Sequence, residues 1–533
     1  MIKHPNRILI AAILAAWCFD ALFWEKSPGI SFAIFITIIV SAGLLLGLGE
    51  KIKPARKAWL LLIPTMIFTL GSIIRKEPLT TFTNILMVLL LLGVFAHTYR
   101  NGRWLNYSLS DFGMLFLHLL ASSLYKPWEA LSKHKAKPPE INGPVAGKAA
   151  VWRRVLPYFR GLLIAIPVLT IFGALLAAAD PIFDKTINEF IRLFKLENLP
   201  EYIFRFVYIL ILGYLLGGVY IHSFTNKKED KLIGEDKPWL PKFLGFTESA
   251  IVIGGVNILF LIFVIIQFTY FFGGNTNINV DGFTYAEYAR RGFSELVIVA
   301  FFSLLLFLGL SSITRRETAL KRKIFSATGI GLVVLVVIIL ISAYQRLSLY
   351  EQAYGFTRLR TYSHIFIIWI GILLALTIVL ELKDRQRSFA LAALFTSFGF
   401  ILSLNLINVD GFIVHQNVNR TVQGEELDAF YFNSLSSDAV PEIIESLANT
   451  SLDETQKDDI RAVLACKMAD MAKQRKDQAW SSYHWSDSNA WRLLKTNREG
   501  FNSAKVYWKD DGSIWVVSNG EHRSCQYSSY LYD

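Results

Sequence analysis

The chain has 533 residues, of which 53% are hydrophobic and only 18% are charged, with a formal net charge of +11. Because soluble proteins carry about 25% charged residues, this composition excludes an ordinary soluble protein. The apolar residues fall in runs of roughly 17 to 27, the length that crosses about 30 Å of hydrocarbon as a helix. The positive charge lies in loops between these runs, so we expect no nucleic-acid partner and expect membrane lipids as the surroundings.

Eleven apolar segments predict membrane-spanning helices. The first has the length of a signal peptide, but it lacks a small-x-small cleavage site and leads directly into the second. We therefore predict a retained first span and the fold class of an all-α polytopic membrane protein. The predicted spans lie near 8–23, 29–48, 58–75, 79–98, 157–179, 203–224, 247–272, 293–313, 324–343, 361–380 and 389–406.

Lysine and arginine are distributed unequally between alternate loops. The amino terminus and the loops on its side of the membrane hold 28 of them, against 11 in the other loops. The positive-inside rule therefore predicts a cytoplasmic amino terminus. Eleven crossings then place the carboxyl terminus outside the cytoplasm.

Four regions follow from this pattern. Residues 1–98 hold four spans, and residues 99–154 form a basic cytoplasmic connector. Within the connector, 111–131 predicts an amphipathic helix lying in the membrane interface, with a re-entrant segment as the alternative. Residues 155–423 hold seven further spans, and residues 424–533 predict a small α+β domain outside the membrane.

Spaced apolar residues and frequent charges predict the elements of the last region. Helices are expected over 438–447 and 454–479, and a hairpin is expected from strands 506–508 and 513–517 around Asp511-Gly512. Cys466 and Cys525 both fall in this region, where a disulfide persists outside the cytoplasm. We predict that they are bonded, the alternative being two free thiols.

A hexapeptide, Ile-Asn-Val-Asp-Gly-Phe, occurs at 278–283 and again at 407–412. Both copies follow an apolar segment, and Arg290 and Arg420 follow them by seven and eight residues. If both segments cross in the same direction, Asp281 and Asp410 lie at the same outer surface. Asn-x-Asp-Gly suits a helix exit, because Asp-Gly forms a tight turn and glycine accepts positive φ.

Polar residues in neighbouring loops extend this surface into a predicted site. Acids at the headgroup level can act as general bases, and arginine and tyrosine suit phosphate groups and sugar faces. An internal salt-bridge network is the alternative for the same residues. The candidate catalytic residues are Asp281, Glu287 and Asp410, and the candidate ligand-binding residues are Tyr285, Arg290, Arg291, Arg346, Tyr350, Tyr354, Arg358, Asn405, Asn417 and Arg420.

Several chemistries lack their motifs in the sequence. There is no Walker loop, no GxGxxG after a strand and no GxSxG elbow. His364 and His415 are isolated along the sequence, and isolated histidines are more often hydrogen-bonding groups than metal ligands. We therefore expect no metal and no cofactor.

The block Tyr285–Phe293 resembles the hallmark of a bacterial integral-membrane family described only as a domain of unknown function, the 4173/4153 group. The resemblance covers roughly residues 155–450. It implies a multi-pass protein of the bacterial inner membrane and supplies no activity or cofactor. Other matching segments are Ala178–Phe183, Tyr350–Gly355, Thr357-Arg358, Asn408-x-Asp410 with Asn417 and Arg420, Leu427-Asp428 and Asp438–Pro441.

Three functions remain open from the sequence, and it does not decide whether the protein is an enzyme. The first is handling of a phosphorylated or glycosylated lipid or envelope precursor at the outer membrane face. The second is a transporter or channel for a small polar solute. The third is an envelope sensor or assembly protein that needs a membrane protein partner.

Overall fold

The computed structural model describes residues 2–135, scattered positions between 161 and 180, and residues 181–193, 199–226, 232, 241–272, 293–422 and 424–526. This part of the chain is mostly helical, with a small sheet near its end. The helices are α1 (Pro5–Phe23), α2 (Ile30–Gly49), α3 (Arg56–Trp59), α4 (Leu62–Ile74), α5 (Pro78–Thr98), α6 (Leu109–Lys135), α7 (Pro181–Leu193), α8 (Leu199–Thr225), α9 (Phe246–Phe272), α10 (Phe293–Ile313), α11 (Ala319–Tyr354), α12 (Arg358–Leu382), α13 (Phe389–Ile407), α14 (Val409–Val422), α15 (Val440–Ser446), α16 (Glu454–Lys476) and α17 (Trp485–Thr496).

Ten helices among the described residues are long and apolar enough to cross a membrane. They are α1, α2, α5, α8 to α13, and α3 together with α4, and they correspond to ten of the eleven predicted spans. The predicted span at 157–179 lies largely outside the described residues. The predicted fold class, a polytopic all-α membrane protein with a small carboxyl-terminal domain, is confirmed.

The outward side chains of these helices explain why they need hydrocarbon around them. Leu45, Met66 and Phe302 are each more than 60% exposed. Such apolar surface is costly in water but not in lipid, whereas the helix itself satisfies the backbone hydrogen bonds that lipid cannot. The apolar composition therefore produces helices that pack with one side and face lipid with the other.

The chain divides into two compact units. The smaller is Met1–Ala21 with Ala121–Ile221. In it, α1 and α8 approach closely, because a Cβ on Gly213 would lie 2.9 Å from the Cα of Ile13. Arg205 donates to both carboxylate oxygens of Asp20, with Nε 2.9 Å from Oδ1, so this charge on a membrane helix is paired.

The larger unit is Leu22–Leu120 with His222–Asp533. Here α11 packs against α9, α10 and α12, and α12 packs against α13, while α4 and α5 pack on each other and on α13. The core between α9 and α12 consists of interlocking apolar side chains from each helix. Its largest fully buried members include Ile253, Phe325, Leu332, Ile339 and Leu374.

Contacts within the larger unit group its loops at two ends of the helices. At one end, the Ser27 carbonyl accepts from Ser482, Lys76 N–H donates to Asp438, and Phe356 N–H donates to Asn417. We call this the domain face, because the carboxyl-terminal domain lies there.

The opposite face joins a different set of loops. Arg387 donates to the Asn106 carbonyl and to Asp111, and Leu244 forms an isolated bridge with Thr314. Among the described loops of the larger unit, those with few basic residues therefore share the domain face, and the more basic loops share the opposite face.

The carboxyl-terminal domain combines α15 to α17 with a three-stranded antiparallel sheet. Its strands are β1 (Lys505–Trp508), β2 (Ile514–Ser518) and β3 (Glu521–Ser524), in the order β1-β2-β3. The first hairpin turns at Asp511-Gly512, as predicted, with positive φ at Gly512. Sequence analysis missed β3, although Asn519 and Gly520 both have positive φ and Asn-Gly is the strongest signal for a tight hairpin.

A single hydrophobic core joins this domain to the ends of the membrane helices. Ile413 on α14 and Phe432, Ile443 and Val463 beyond it are all fully buried in one cluster. The packing therefore continues across 423–424, where the sequence suggests a domain boundary. The helix predicted over 438–447 is observed as a 3-10 turn followed by α15. The helix predicted over 454–479 is observed as α16, which ends at Lys476.

Candidate functional site

The second copy of the repeated hexapeptide forms a helix-to-helix corner. Asn408, between α13 and α14, is the residue with positive φ, at 53°. Gly411 lies inside α14, so the prediction that the glycine supplies the positive φ of this turn is wrong. The Asn408 side chain explains the difference, since Nδ2 donates to the Asp438 carbonyl at 3.0 Å and Oδ1 accepts from Gly411 N–H at 3.4 Å.

Substituting Asn408 tests this corner. We expect Asn408→Val to lower the free energy of unfolding by about 2 kcal/mol, because a β-branched residue is strained at positive φ and loses the side-chain hydrogen bonds. Asn408→Gly should cost less, because glycine tolerates that φ. Thermal unfolding of the purified proteins in detergent measures both, and equal losses for the two variants would show that backbone conformation is not the cause.

Asp410, in the first turn of α14, is fully buried and forms a two-pronged ion pair with Arg358. Arg358 Nε lies 2.7 Å from Oδ1 and Nη2 lies 2.6 Å from Oδ2. Ser436 N–H donates to Oδ2 at 2.6 Å. These bonds connect α12, α14 and the start of the carboxyl-terminal domain. The surroundings of Asp410 are those of a structural ion pair, which was the alternative interpretation of this residue.

Two acids that sequence analysis did not include in the site connect α5 to the same face. Glu77 caps α5, accepting from Leu79 N–H and Thr80 N–H, and it also accepts from the Tyr362 hydroxyl. Asp438 Oδ2 accepts from the backbone N–H groups of Lys76 and Glu77, each at 2.8 Å. Burial raises the pKa of Asp438 above its ordinary value.

Asn417, Arg420 and Asn405 are also used for internal contacts. Asn417 pairs through its side chain with both backbone groups of Phe356, and Arg420 donates to the carbonyls that end α11. Gly355 is needed between them, because its φ is 82° and a Cβ there would lie 2.7 Å from Arg420 Nη1. Asn405 pairs with Asn84 on α5 through two amide hydrogen bonds of 2.8 and 3.0 Å.

The segment between the predicted spans 324–343 and 361–380, which is rich in tyrosine and arginine, is mostly helical. α11 continues for another eleven residues, to Tyr354, before a short loop leads to α12. Arg346 is buried on this extension. The guanidinium of Arg360 lies 3.9 Å from the ring centre of Tyr350, and the rings of Tyr350 and Tyr354 contact each other edge to face.

The first copy of the hexapeptide and the block after it lie outside the described residues. A meeting of the two repeated aspartates therefore stays a prediction. The residues concerned are Asp281, Tyr285, Glu287, Arg290 and Arg291.

Cys466 on α16 and Cys525 after β3 form a disulfide, with their Cα atoms 5.4 Å apart. The bond joins the last described strand to the longest helix of the domain. Both cysteines also line a cavity at the domain face.

This cavity has a volume of about 550 Å³. Its walls come from the amino-terminal end of α5, from Arg358 at the start of α12, from 433–437, from α16 and from the sheet. Four cationic side chains and one carboxylate are among the lining groups, so the wall is positively charged. They are Lys76, Arg358, Lys467, Lys473 and Asp470.

Lys467 binds backbone carbonyls, and the carboxylates of Asp410 and Asp470 act on it only at longer range. Lys76 and Arg358 are paired with Asp487 and Asp410, whereas the hydrogen bonds described for Lys467 go to the carbonyls of Leu435 at 2.7 Å and Asn433 at 3.4 Å. Burial lowers the pKa of Lys467 to about 8. The sequence contains a signal for the position of Lys467. Ile460, Val463 and Leu464 precede it at helical spacing, which places this lysine on the buried face of the helix.

Asn433 adds an unsatisfied side-chain amide to the same wall. Both polar atoms of its side-chain amide are buried and have no hydrogen-bond partner among the described residues. Since buried polar groups are nearly always paired, such an amide in a cavity indicates a missing partner.

The geometry defines an integral membrane protein whose carboxyl-terminal domain and helix ends enclose a cationic cavity at one face. The chain belongs to the family described as Domain of unknown function (DUF4153), which it matches over residues 62–446. The match starts nearer the amino terminus than the resemblance suggested and includes α5, which contributes Glu77 and Asn84. No curated protein and no solved structure shows significant similarity.

Proposed function

We propose that the protein binds the phosphorylated headgroup of a membrane lipid or lipid-linked envelope precursor in the cationic cavity of the domain face. The observation that carries the proposal is the half-buried ammonium of Lys467, which lines the same cavity as the unpartnered side-chain amide of Asn433 and donates to the Asn433 carbonyl. A phosphate supplies the negative charge that the Lys467 ammonium attracts and a hydrogen-bond acceptor for the Asn433 Nδ2 group.

The position of the cavity favours a lipid over a soluble ligand. Lys76 precedes the membrane span that begins at Pro78, and Arg358 begins another, so the cavity lies at the level where headgroups meet the helix ends. Exposed aromatic side chains at the domain face, Trp480 and Tyr483, neighbour the loop at 27–29. Aromatic rings of this kind are typical of the membrane interface.

The charge pattern assigns this face to the outside of the cytoplasmic membrane in our proposal. The described loops of the domain face carry few basic residues, and those of the opposite face carry many. By the positive-inside rule, the cavity then faces the outer leaflet, where envelope precursors are handled.

Lipid binding by the full chain in nanodiscs tests the proposal. The probes are dioctanoyl phosphatidylglycerol, dioctanoylglycerol without phosphate, and inorganic phosphate. We expect Lys467→Met to weaken binding of the phospholipid roughly 10-fold or more, because a charge-assisted hydrogen bond contributes about 1.5 to 3 kcal/mol. Lys476→Met is the matched control, since Lys476 is an exposed lysine on the same helix outside the cavity wall.

The three probes separate the alternatives. Equal affinity for the phosphate-free lipid, or an unchanged affinity in Lys467→Met, would contradict headgroup recognition. Inorganic phosphate bound as tightly as the phospholipid would point instead to a soluble ligand, as the transporter and sensor hypotheses require.

The affinity should also depend on pH. With a pKa of about 8, Lys467 is charged below pH 8 and loses its proton as the pH rises through that value. Phospholipid affinity should therefore be highest below pH 8 and fall above it. Without ligand, the unfolding free energy should rise between about pH 8 and 10.4, because the unfolded lysine keeps its proton longer. Lys467→Met should remove both steps.

A further inference from the structure

Ser348, His364 and Glu351 form a hydrogen-bonded chain where α11 and α12 approach the domain face. His364 Nδ1 lies 2.9 Å from Glu351 Oε2, and His364 Nε2 lies 3.3 Å from Ser348 Oγ. A carboxylate on Nδ1 and a hydroxyl on Nε2 is the arrangement by which a histidine activates a serine nucleophile. The three residues come from two helices and belong to no elbow motif, so no sequence motif marks them.

The carboxylate selects the useful tautomer of the histidine. An ionised carboxylate can only accept a hydrogen bond, so Nδ1 of neutral His364 carries the proton. Nε2 then presents its lone pair to Ser348. The serine hydroxyl, 3.0 Å from the Tyr344 carbonyl, can turn its proton from that carbonyl to Nε2.

Burial of the Glu351 carboxylate costs folding free energy. Its side chain is 2% exposed, and Oε1 has no hydrogen-bond partner among the described residues. A buried carboxylate whose second oxygen is unsatisfied destabilises the fold. A buried acid that orients the imidazole and stabilises its positive charge during proton transfer accounts for this arrangement.

The serine lies at the depth of lipid ester groups. Ser348 is 25 residues beyond Lys323 on α11, about 37 Å at 1.5 Å per residue, slightly more than the roughly 30 Å of hydrocarbon. One and two turns before it on the same helix face are Tyr344 and Ile341, which are 40% and 54% exposed. Among the described residues, the serine therefore continues a surface that faces lipid.

We infer that Ser348 is the nucleophile of an acyl-transfer site that acts on the ester carbonyls of membrane lipids. Ser348 Oγ forms a bond to the carbonyl carbon while its proton moves to His364 Nε2. The bond from that carbon to the alcohol oxygen then breaks, and the alcohol leaves with the proton from His364. Water or a second alcohol takes the acyl group by the same steps in reverse, which restores the serine.

This inference does not depend on the headgroup cavity, because it rests on a different set of residues. Loss of headgroup affinity in Lys467→Met leaves the serine chemistry intact, and loss of serine reactivity leaves headgroup affinity intact. The two proposals can therefore fail separately.

A fluorophosphonate probe tests the nucleophile in the full-length protein in nanodiscs. The serine oxygen would form a bond to phosphorus, fluoride would leave, and the proton would pass to His364. We expect peptide mass spectrometry to find the label on Ser348, and Ser348→Ala to lose it. His364→Gln should reduce the labelling rate at least 100-fold, the lower range for loss of general-base catalysis. Ser363→Ala is the matched control, since its hydroxyl donates to a helix carbonyl.

A second measurement tests the substrate class and guards against misfolding. Fatty acid release from nanodisc phosphatidylglycerol should require Ser348, whereas an ether-linked analogue should release none. Each variant must elute as a single species with the unfolding midpoint of the parent before its reactivity is compared. An unlabelled Ser348 in folded protein, or labelling that His364→Gln leaves unchanged, would overturn the nucleophile. Labelling without acyl release would overturn the lipid ester as substrate.

Discussion

Arg358→Met should lower the free energy of unfolding by about 3 to 5 kcal/mol, the range for removing one partner of a buried ion pair. The substitution leaves the carboxylate of Asp410 without its cation, and this carboxylate is fully buried, with a side-chain exposure of 0%. Only the Ser436 N–H would remain as its described hydrogen-bond donor. Thermal and chemical unfolding of the purified protein in detergent measures the loss.

The reciprocal change should cost less. In Asp410→Asn the buried group is neutral and can still accept from Ser436, and the Arg358 side chain is 24% exposed, so water can reach the remaining cation. Arg461→Met is the control, because its partners Asp458 and Glu454 are exposed acids on α16 and such pairs contribute about 0 to 1 kcal/mol. A loss in Arg358→Met no larger than in this control would contradict the ion pair's structural role.

The Asp410→Asn variant also distinguishes a structural role of Asp410 from a catalytic one. If the aspartate is a structural group, any fatty acid release from phosphatidylglycerol by Asp410→Asn should fall only in proportion to the fraction of folded protein. Full stability together with complete loss of activity would support the catalytic role that the sequence suggested for it.

Removing the disulfide with Cys466→Ala and Cys525→Ala should destabilise the carboxyl-terminal domain by about 4 kcal/mol. The bond closes a loop of 59 residues, and in the chain-entropy description a loop of that length contributes this amount by restricting the unfolded state. Unfolding followed by tryptophan fluorescence measures the loss. Cys18→Ala is the control, since Cys18 is a free cysteine on α1.

The disulfide should also affect the headgroup cavity. Cys466 and Cys525 line its wall, so the double variant removes a covalent tie between α16 and the strand that faces the same space. We expect weaker phospholipid binding in the variant and in reduced wild-type protein. An unchanged midpoint of unfolding would contradict the stabilising role, and unchanged binding would show that the wall keeps its shape without the bond.

Local sequence patterns determined the elements and their order. Long apolar runs predict spans because the bilayer interior is a uniform solvent, so a window of about 20 residues contains the whole signal. The alternation of basic loops agrees with the contacts that bring Lys76 and Phe356 to one face. Asp511-Gly512 predicted its hairpin because the turn conformation depends on those two residues.

Hydropathy predicted the end of a helix poorly where the helix continues with polar residues. α11 runs on to Tyr354 because its last turns pack against neighbouring elements, burying Arg346 and Glu351, although their polarity resembles that of a loop. The repeated hexapeptide predicted a corner, but Asn408 supplies the left-handed residue, because its side chain is held by Asp438.

The sequence by itself therefore determined that this is a polytopic membrane protein and where most of its spans lie. Only the tertiary structure decided which of these residues meet. Glu77 and Tyr362 are 285 positions apart, and Lys76 and Asp438 are 362 apart. Hydropathy is a property of neighbouring residues, whereas the pairing of Arg358 with Asp410 and of His364 with Ser348 depends on how separate helices pack.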